Sequence, residues 1–83
     1  MKMNIDQKVK NAIVELVDNL KLSEIKLENH LINDLGFDSL NLVEFSMRLE
    51  DIFKIEINME DFNLKELTVR SITESVRKLI AQR

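Results

Sequence analysis

Residues 38–54, DSLNLVEFSMRLEDIFK, have the apolar spacing of a helix with two apolar faces. At about 100° per residue, one broad face collects the residues expected to contact the core, which are Leu42, Phe45, Leu49, Ile52 and Phe53. A narrower stripe lies on the opposite side and consists of Leu40, Val43 and Met47, flanked by Glu44, Glu50 and Asp51. We predict a helix from Asp38 or Ser39 to about Phe53 or Lys54. Its narrow stripe is either buried as a second core face or left exposed for a partner.

Two further helices are predicted on either side of this one. Asn4 and Gln7 have the spacing of a capping box, and the apolar residues that follow continue a helical face to about Asn19. Thr68 is expected to cap a final helix, whose core face is Val69, Ile72, Val76, Leu79 and Ile80. The sequence therefore predicts three main helices.

The connections between the helices differ in length. Residues 20–37 form a long loop that seven apolar side chains are expected to anchor: Leu22, Ile25, Leu27, Leu31, Ile32, Leu35 and Phe37. After the central helix, residues 55–57 alternate like a short extended connection, and Met59 to Phe62 are predicted to form one short helical turn. The absence of proline and the single glycine argue against a β-rich fold.

The composition predicts one small helical domain, residues 1–83, and excludes several functions. With 83 residues there is room for one core only. The absence of cysteine removes disulfides and thiol chemistry. The net charge of −3 argues against nucleic-acid binding, which is typical of basic domains. No apolar stretch is long enough for membrane insertion. We expect a cytoplasmic monomer.

One short stretch carries the chemistry. Residues 34–40, DLGFDSL, place Ser39 at the start of the central helix, after Gly36 and next to the carboxylate of Asp38. The free N–H groups and the positive dipole of a helix N-terminus favour a phosphate there. The segment from residue 34 to residue 66 also holds nine acids against three bases, so the acidity of the chain is concentrated around this helix.

At these residues the chain resembles the acyl carrier proteins, which are phosphopantetheine-binding carrier domains. The resemblance covers almost the whole chain, including the lead-in LINDLG, residues 31–36, the hallmark DSL, residues 38–40, and the helix that follows. It implies an all-α, small four-helix bundle of three main helices and one short helix, with a long loop between the first two. It also implies a free-standing, non-catalytic carrier. A phosphopantetheinyl transferase would esterify Ser39, flanked by Asp38 and Leu40, with 4′-phosphopantetheine from coenzyme A.

The resemblance also assigns roles to other residues. Acyl-loading and acyl-processing enzymes, such as synthases or ligases, are expected to dock on Leu40, Val43, Glu44, Met47, Glu50 and Asp51. Acyl chains are expected to lie against Leu49, Ile57, Phe62 and Leu67. Phe37, Asn41, Arg48 and Phe62 depart from the usual pattern of fatty-acid carriers. These departures suit a carrier of acyl or aminoacyl groups in polyketide, nonribosomal-peptide or modified-lipid assembly at least as well as one in fatty-acid synthesis, and the pathway stays open.

Simpler interpretations of the same residues remain open. Ser39 is an ordinary N-cap serine if the chain is a small helical adaptor, or the chain keeps the carrier fold without being modified. His30 has no partner at metal-ligand spacing, and Asp34 and Asp38 lack the spacing of a calcium loop. We therefore expect no metal site and no catalytic residue.

Overall fold

The computed structural model describes residues 4–58, 60 and 62–82, and within them the fold is all-α. Its α-helices are α1 (Ile5–Leu16), α2 (Ser39–Phe53) and α3 (Val69–Gln82), with 3-10 turns at Leu22–Glu24 and Leu64–Glu66. The described residues pair in β fashion at one isolated bridge, between His30 and Thr68. The predicted fold class is confirmed. The predicted turn from Met59 to Phe62 includes Met59 and Asp61, which lie outside the described residues.

Helix α1 begins as predicted but ends early. The Asn4 side chain accepts a hydrogen bond from the Gln7 N–H, and the Gln7 side chain accepts one from the Asn4 N–H, so the capping box is confirmed. The helix ends at Leu16, whereas the predicted end was near Asn19. Val17 is already extended and Asn19 has a φ of 65°. Asparagine tolerates this left-handed conformation, so Asn19 favours a turn after the helix. The apolar spacing continues into the loop, which is why it predicted too long a helix.

Helix α2 has the predicted bounds, and its cap is Asp38. The Asp38 carboxylate accepts a hydrogen bond from the Asn41 N–H at 2.8 Å, while the Asn41 side chain accepts one from the Asp38 N–H at 3.1 Å. This reciprocal pair satisfies donors that the first turn of a helix cannot satisfy by itself. At the other end, Lys54 takes a left-handed conformation with a φ of 55° and closes the helix.

The core draws on all three helices and on the long loop. The buried residues of α2 are Leu42, Phe45, Ser46, Leu49 and Phe53, while Ile52 is 38% exposed. The prediction that Ile52 lies in the core was therefore wrong. Ile52 sits at the edge of the buried face, where it lines a groove of about 360 Å³ with Lys8, Asn11, Ala12, Val14 and Glu15 of α1.

The loop between α1 and α2 is packed, as predicted, although not through every expected anchor. Four of its apolar residues, Ile25, Leu31, Leu35 and Phe37, belong to the core cluster. Leu22 and Ile32 are exposed instead, because a loop without regular periodicity gives no rule for which side chain points inward. On α3, Val69, Ile72 and Val76 are buried, and Leu79 and Ile80 pack partly buried against the core.

Substitutions at Asp38 test the cap of α2. Asp38→Ala should lower the free energy of unfolding by about 1 kcal/mol, because the Asn41 N–H loses its acceptor. Asp38→Asn should stay within a few tenths of a kcal/mol of the wild type, since asparagine caps about as well as aspartate. Urea unfolding followed by circular dichroism measures both. The exposed Asp51→Ala is the matched control on the same helix, and an Asp38→Ala protein as stable as this control would contradict the capping role.

Candidate functional site

Ser39 is the first residue of α2, and its side chain is exposed. Because Asp38 caps the helix, the Ser39 hydroxyl is not needed for capping. Within the described residues, no hydrogen bond uses the main-chain N–H of Ser39 or Leu40. An exposed hydroxyl therefore lies beside free helix N–H groups at the positive end of the helix dipole, which is a favourable setting for a phosphate group.

The segment before Ser39 is held in place from the inside. Phe37 is buried, and its ring meets the ring of Phe45 edge to face with centroids 5.5 Å apart. The Phe37 N–H donates to the Leu31 carbonyl at 2.9 Å. Gly36 has a φ of +78°, a conformation that glycine adopts without steric cost. The chain thus turns at Gly36, anchors in the core at Phe37 and emerges two residues later with Ser39 facing outward.

The apolar stripe that follows Ser39 is exposed. Leu40, Val43 and Met47 are 63%, 47% and 60% exposed, so the alternative in which α2 buries both faces is wrong. Met47 also lines a shallow groove of about 280 Å³ together with Glu44, Arg48 and Asp51. The surface formed by Leu40, Val43, Met47, Glu44 and Asp51 is called the α2 surface below.

The charged residues of α2 have different surroundings. Glu44 is exposed, and Asp51 makes a loose pair with Lys54, with 3.7 Å between the charged atoms. Arg48 pairs with Glu15 of α1 at 2.5 Å, so the cation on this helix is directed towards α1. Glu50 is half-buried, and its carboxylate accepts a hydrogen bond from the Ile57 N–H at 2.8 Å. Glu50 therefore holds the chain that follows α2, and we leave it out of the α2 surface.

The residues expected to contact an acyl chain are all buried. Leu49, Ile57, Phe62 and Leu67 belong to the hydrophobic core cluster. None of them lines the groove between α1 and α2 or the groove at Met47. An acyl chain that enters the core at these residues has to separate packed side chains.

Sequence reasoning missed the contacts of several polar residues near the site. Asn41 lies three residues after Asp38, which is the spacing of a capping box and could have revealed the pairing. His30 accepts hydrogen bonds from the N–H groups of Ile32 and Asn33. Arg48 and Glu15 form an ion pair between two helices, and no local sequence pattern predicts such a contact.

The described residues include neither a metal-binding cluster nor a membrane-spanning helix. Among the described residues, no three histidine, aspartate or glutamate side chains come together as metal ligands would. No helix in this part of the chain has both the length and the apolarity needed to cross a bilayer.

Comparisons with known proteins agree with this geometry. Residues 7–76 match the family model described as phosphopantetheine attachment site. The chain is also similar to a protein named acyl carrier protein from Desulforapulum autotrophicum, with 38% identity over 76 residues that cover 92% of this chain and 97% of that protein. The chain belongs to the acyl carrier protein family, whose covalent cofactor is 4′-phosphopantetheine.

Proposed function

We propose that Ser39 is the attachment residue and that the chain presents acyl or aminoacyl groups to separate biosynthetic enzymes. The observation that supports this most is the exposed Ser39 hydroxyl at the first position of α2, with capping left to Asp38. A serine that capped the helix would have its oxygen occupied by a main-chain N–H. The Ser39 hydroxyl is available for reaction.

The surroundings of Ser39 suit a phosphodiester. The N–H groups of the first turn and the helix dipole offset its negative charge, and exposure gives a long arm room to project away from the core. In the attachment reaction, a phosphopantetheinyl transferase removes the hydroxyl proton. The oxygen forms a bond to the phosphorus that bears pantetheine, the pyrophosphate P–O bond of coenzyme A breaks, and adenosine 3′,5′-bisphosphate leaves. The attached group supplies a thiol that holds acyl groups as thioesters.

The chain itself positions Ser39 and presents the attached group to enzymes. Phe37 anchors the segment before Ser39, and Asp38 fixes the start of the helix. The α2 surface, apolar in its middle and acidic at Glu44 and Asp51, suits transient binding to enzymes with basic surroundings. We place the protein in the cytoplasm, as a single domain, in a fatty-acid, polyketide or related pathway. It catalyses no step itself.

Modification by a transferase tests the role of Ser39. Incubation of the apo protein with coenzyme A and a broad-specificity phosphopantetheinyl transferase should add one phosphopantetheinyl mass, measured by intact-protein mass spectrometry. Ser39→Ala should abolish the addition because the acceptor oxygen is gone. Ser23→Ala, at an exposed serine in the loop, should be modified like the wild type.

Three outcomes would contradict the proposal. A folded wild-type protein that gains no mass would favour an adaptor that binds partners through the α2 surface without an arm. Modification that persists in Ser39→Ala would move the site to another residue. Normal complementation by Ser39→Ala in cells would show that the arm is not needed for the biological role.

Charge reversal at Glu44 tests the α2 surface. Glu44→Lys should slow modification about fivefold at low salt, with circular dichroism unchanged, because an exposed acid mainly steers association. Added salt should slow the wild-type reaction and narrow the difference. Glu74→Lys makes the same charge change at an exposed position on α3 and should leave the rate close to that of the wild type. Equal rates for all three proteins at low salt would rule out steering by Glu44.

Glu50 is expected to behave differently. Glu50→Ala removes the acceptor of the Ile57 N–H, and the free energy of unfolding should fall by about 1 kcal/mol. Urea unfolding measures this loss. A Glu50→Ala protein that keeps wild-type stability but is modified slowly would show that Glu50 belongs to the α2 surface.

A further inference from the structure

His30 caps a single helical turn that precedes Ser39. The turn spans residues 31–35, where the His30 carbonyl accepts hydrogen bonds from the N–H groups of Asp34 at 2.9 Å and Leu35 at 3.1 Å. The imidazole Nδ1 of His30 accepts from the N–H groups of Ile32 and Asn33, each at 3.1 Å. These are the donors that an N-cap side chain satisfies in a longer helix.

Asp34 completes the arrangement from the other end of the turn. Its carboxylate accepts a hydrogen bond from the His30 N–H at 2.6 Å. The two side chains therefore exchange contacts with each other's part of the main chain, as the two partners of a capping box do. Histidine occupies the place that serine, threonine, aspartate or asparagine usually takes at a cap.

This turn connects the last helix to the attachment site. His30 forms the isolated β bridge with Thr68, and the Leu31 N–H donates to the Leu67 carbonyl at 2.9 Å. At its other end, the Phe37 N–H donates to the Leu31 carbonyl. The position of the segment that leads to Ser39 thus depends on a turn whose first donors are held by the His30 ring.

The capping role requires an uncharged ring. A neutral imidazole has one acceptor nitrogen, whereas both nitrogens of the protonated ring are donors. Protonation would place an N–H opposite the N–H groups of Ile32 and Asn33, and both hydrogen bonds would be lost.

Among the described residues, charged groups lie on or beside the segments that pack around His30. Asp34 lies on the turn itself, Glu28 precedes it, and Glu66 and Arg70 lie on either side of the Leu67–Thr68 segment. Glu28 and Arg70 are paired at 4.0 Å. The attraction between Asp34 and a protonated ring does not restore a hydrogen-bond acceptor to Ile32 and Asn33. These charged groups also remain in a variant that changes His30 alone.

We propose that His30, in its neutral form, is a positioning residue for Ser39, and that protonation of its ring slows attachment of the arm by loosening the turn at residues 31–35. The proposal rests on the proposed role of Ser39. It assigns to the carrier itself a pH dependence that is independent of the transferase.

Asparagine at position 30 is the matched control. Its side-chain oxygen lies the same number of bonds from the main chain as the histidine Nδ1, and it does not titrate. The same capping contact occurs elsewhere in this chain, where Asn4 and Asn63 accept from the N–H groups of Gln7 and Lys65. His30→Asn should therefore keep the capped turn at every pH, while His30→Ala should lose the cap at every pH.

The test is a competition in one reaction mixture. Wild-type protein and His30→Asn are mixed with coenzyme A and the transferase, and intact masses give the ratio of their modification rates. The ratio cancels the pH dependence of the transferase. It should be near one where nuclear magnetic resonance shows the His30 ring to be neutral and should fall roughly fivefold where the ring is protonated, since two hydrogen bonds are lost in the wild type alone. A ratio that does not change when the ring becomes protonated would overturn the proposal.

A second measurement needs neither the transferase nor the variant. Amide hydrogen exchange of the wild-type protein, expressed as protection relative to the unstructured chain, should fall for Ile32 and Asn33 as the His30 ring titrates by nuclear magnetic resonance. The Asn41 amide, held by the non-histidine cap of α2, is the internal control. Unchanged protection at Ile32 and Asn33 would also overturn the proposal. If neither protein is modified at any pH, the role assigned to Ser39 fails, and this measurement alone decides the role of His30.

Discussion

The reciprocal hydrogen bonds between Asp38 and Asn41 are the constraint on which the rest of the site depends. They start α2 at Ser39 and satisfy the first-turn donor that a serine cap would otherwise hold. The hydroxyl next to the cap is then exposed and has no structural task. A fold that needed Ser39 as its cap could not modify that residue without destabilising the helix.

Helix α2 has one buried face and one exposed face. Phe45 and Leu49 are buried and tie the helix to the core, while Leu40 and Met47 remain exposed on the same helix as Ser39. The buried face keeps Ser39 in a fixed place, and the exposed face is free to meet other proteins. Such a small apolar area with acids around it favours brief contacts, which a carrier that visits several enzymes needs.

Local patterns predicted the parts of the structure that local interactions determine. The capping box of α1 and the bounds of α2 follow from side chains three or four residues apart. Four features could not be predicted in this way. They are the early end of α1, the exposure of Ile52, the hydrogen bond from Ile57 to Glu50 and the ion pair of Arg48 with Glu15. Each of these depends on a turn or on how the helices pack, which hydrophobic spacing along one helix does not determine.

The central claim is that Ser39 bears covalent 4′-phosphopantetheine in the functional protein. The most direct measurement is mass spectrometry of the protein isolated from its native cells, with no coenzyme A or transferase added, followed by sequencing of its fragments. We predict 4′-phosphopantetheine, free or acylated, on the fragment that contains Ser39. An unmodified Ser39 in every molecule, or an arm on another residue, would contradict the claim.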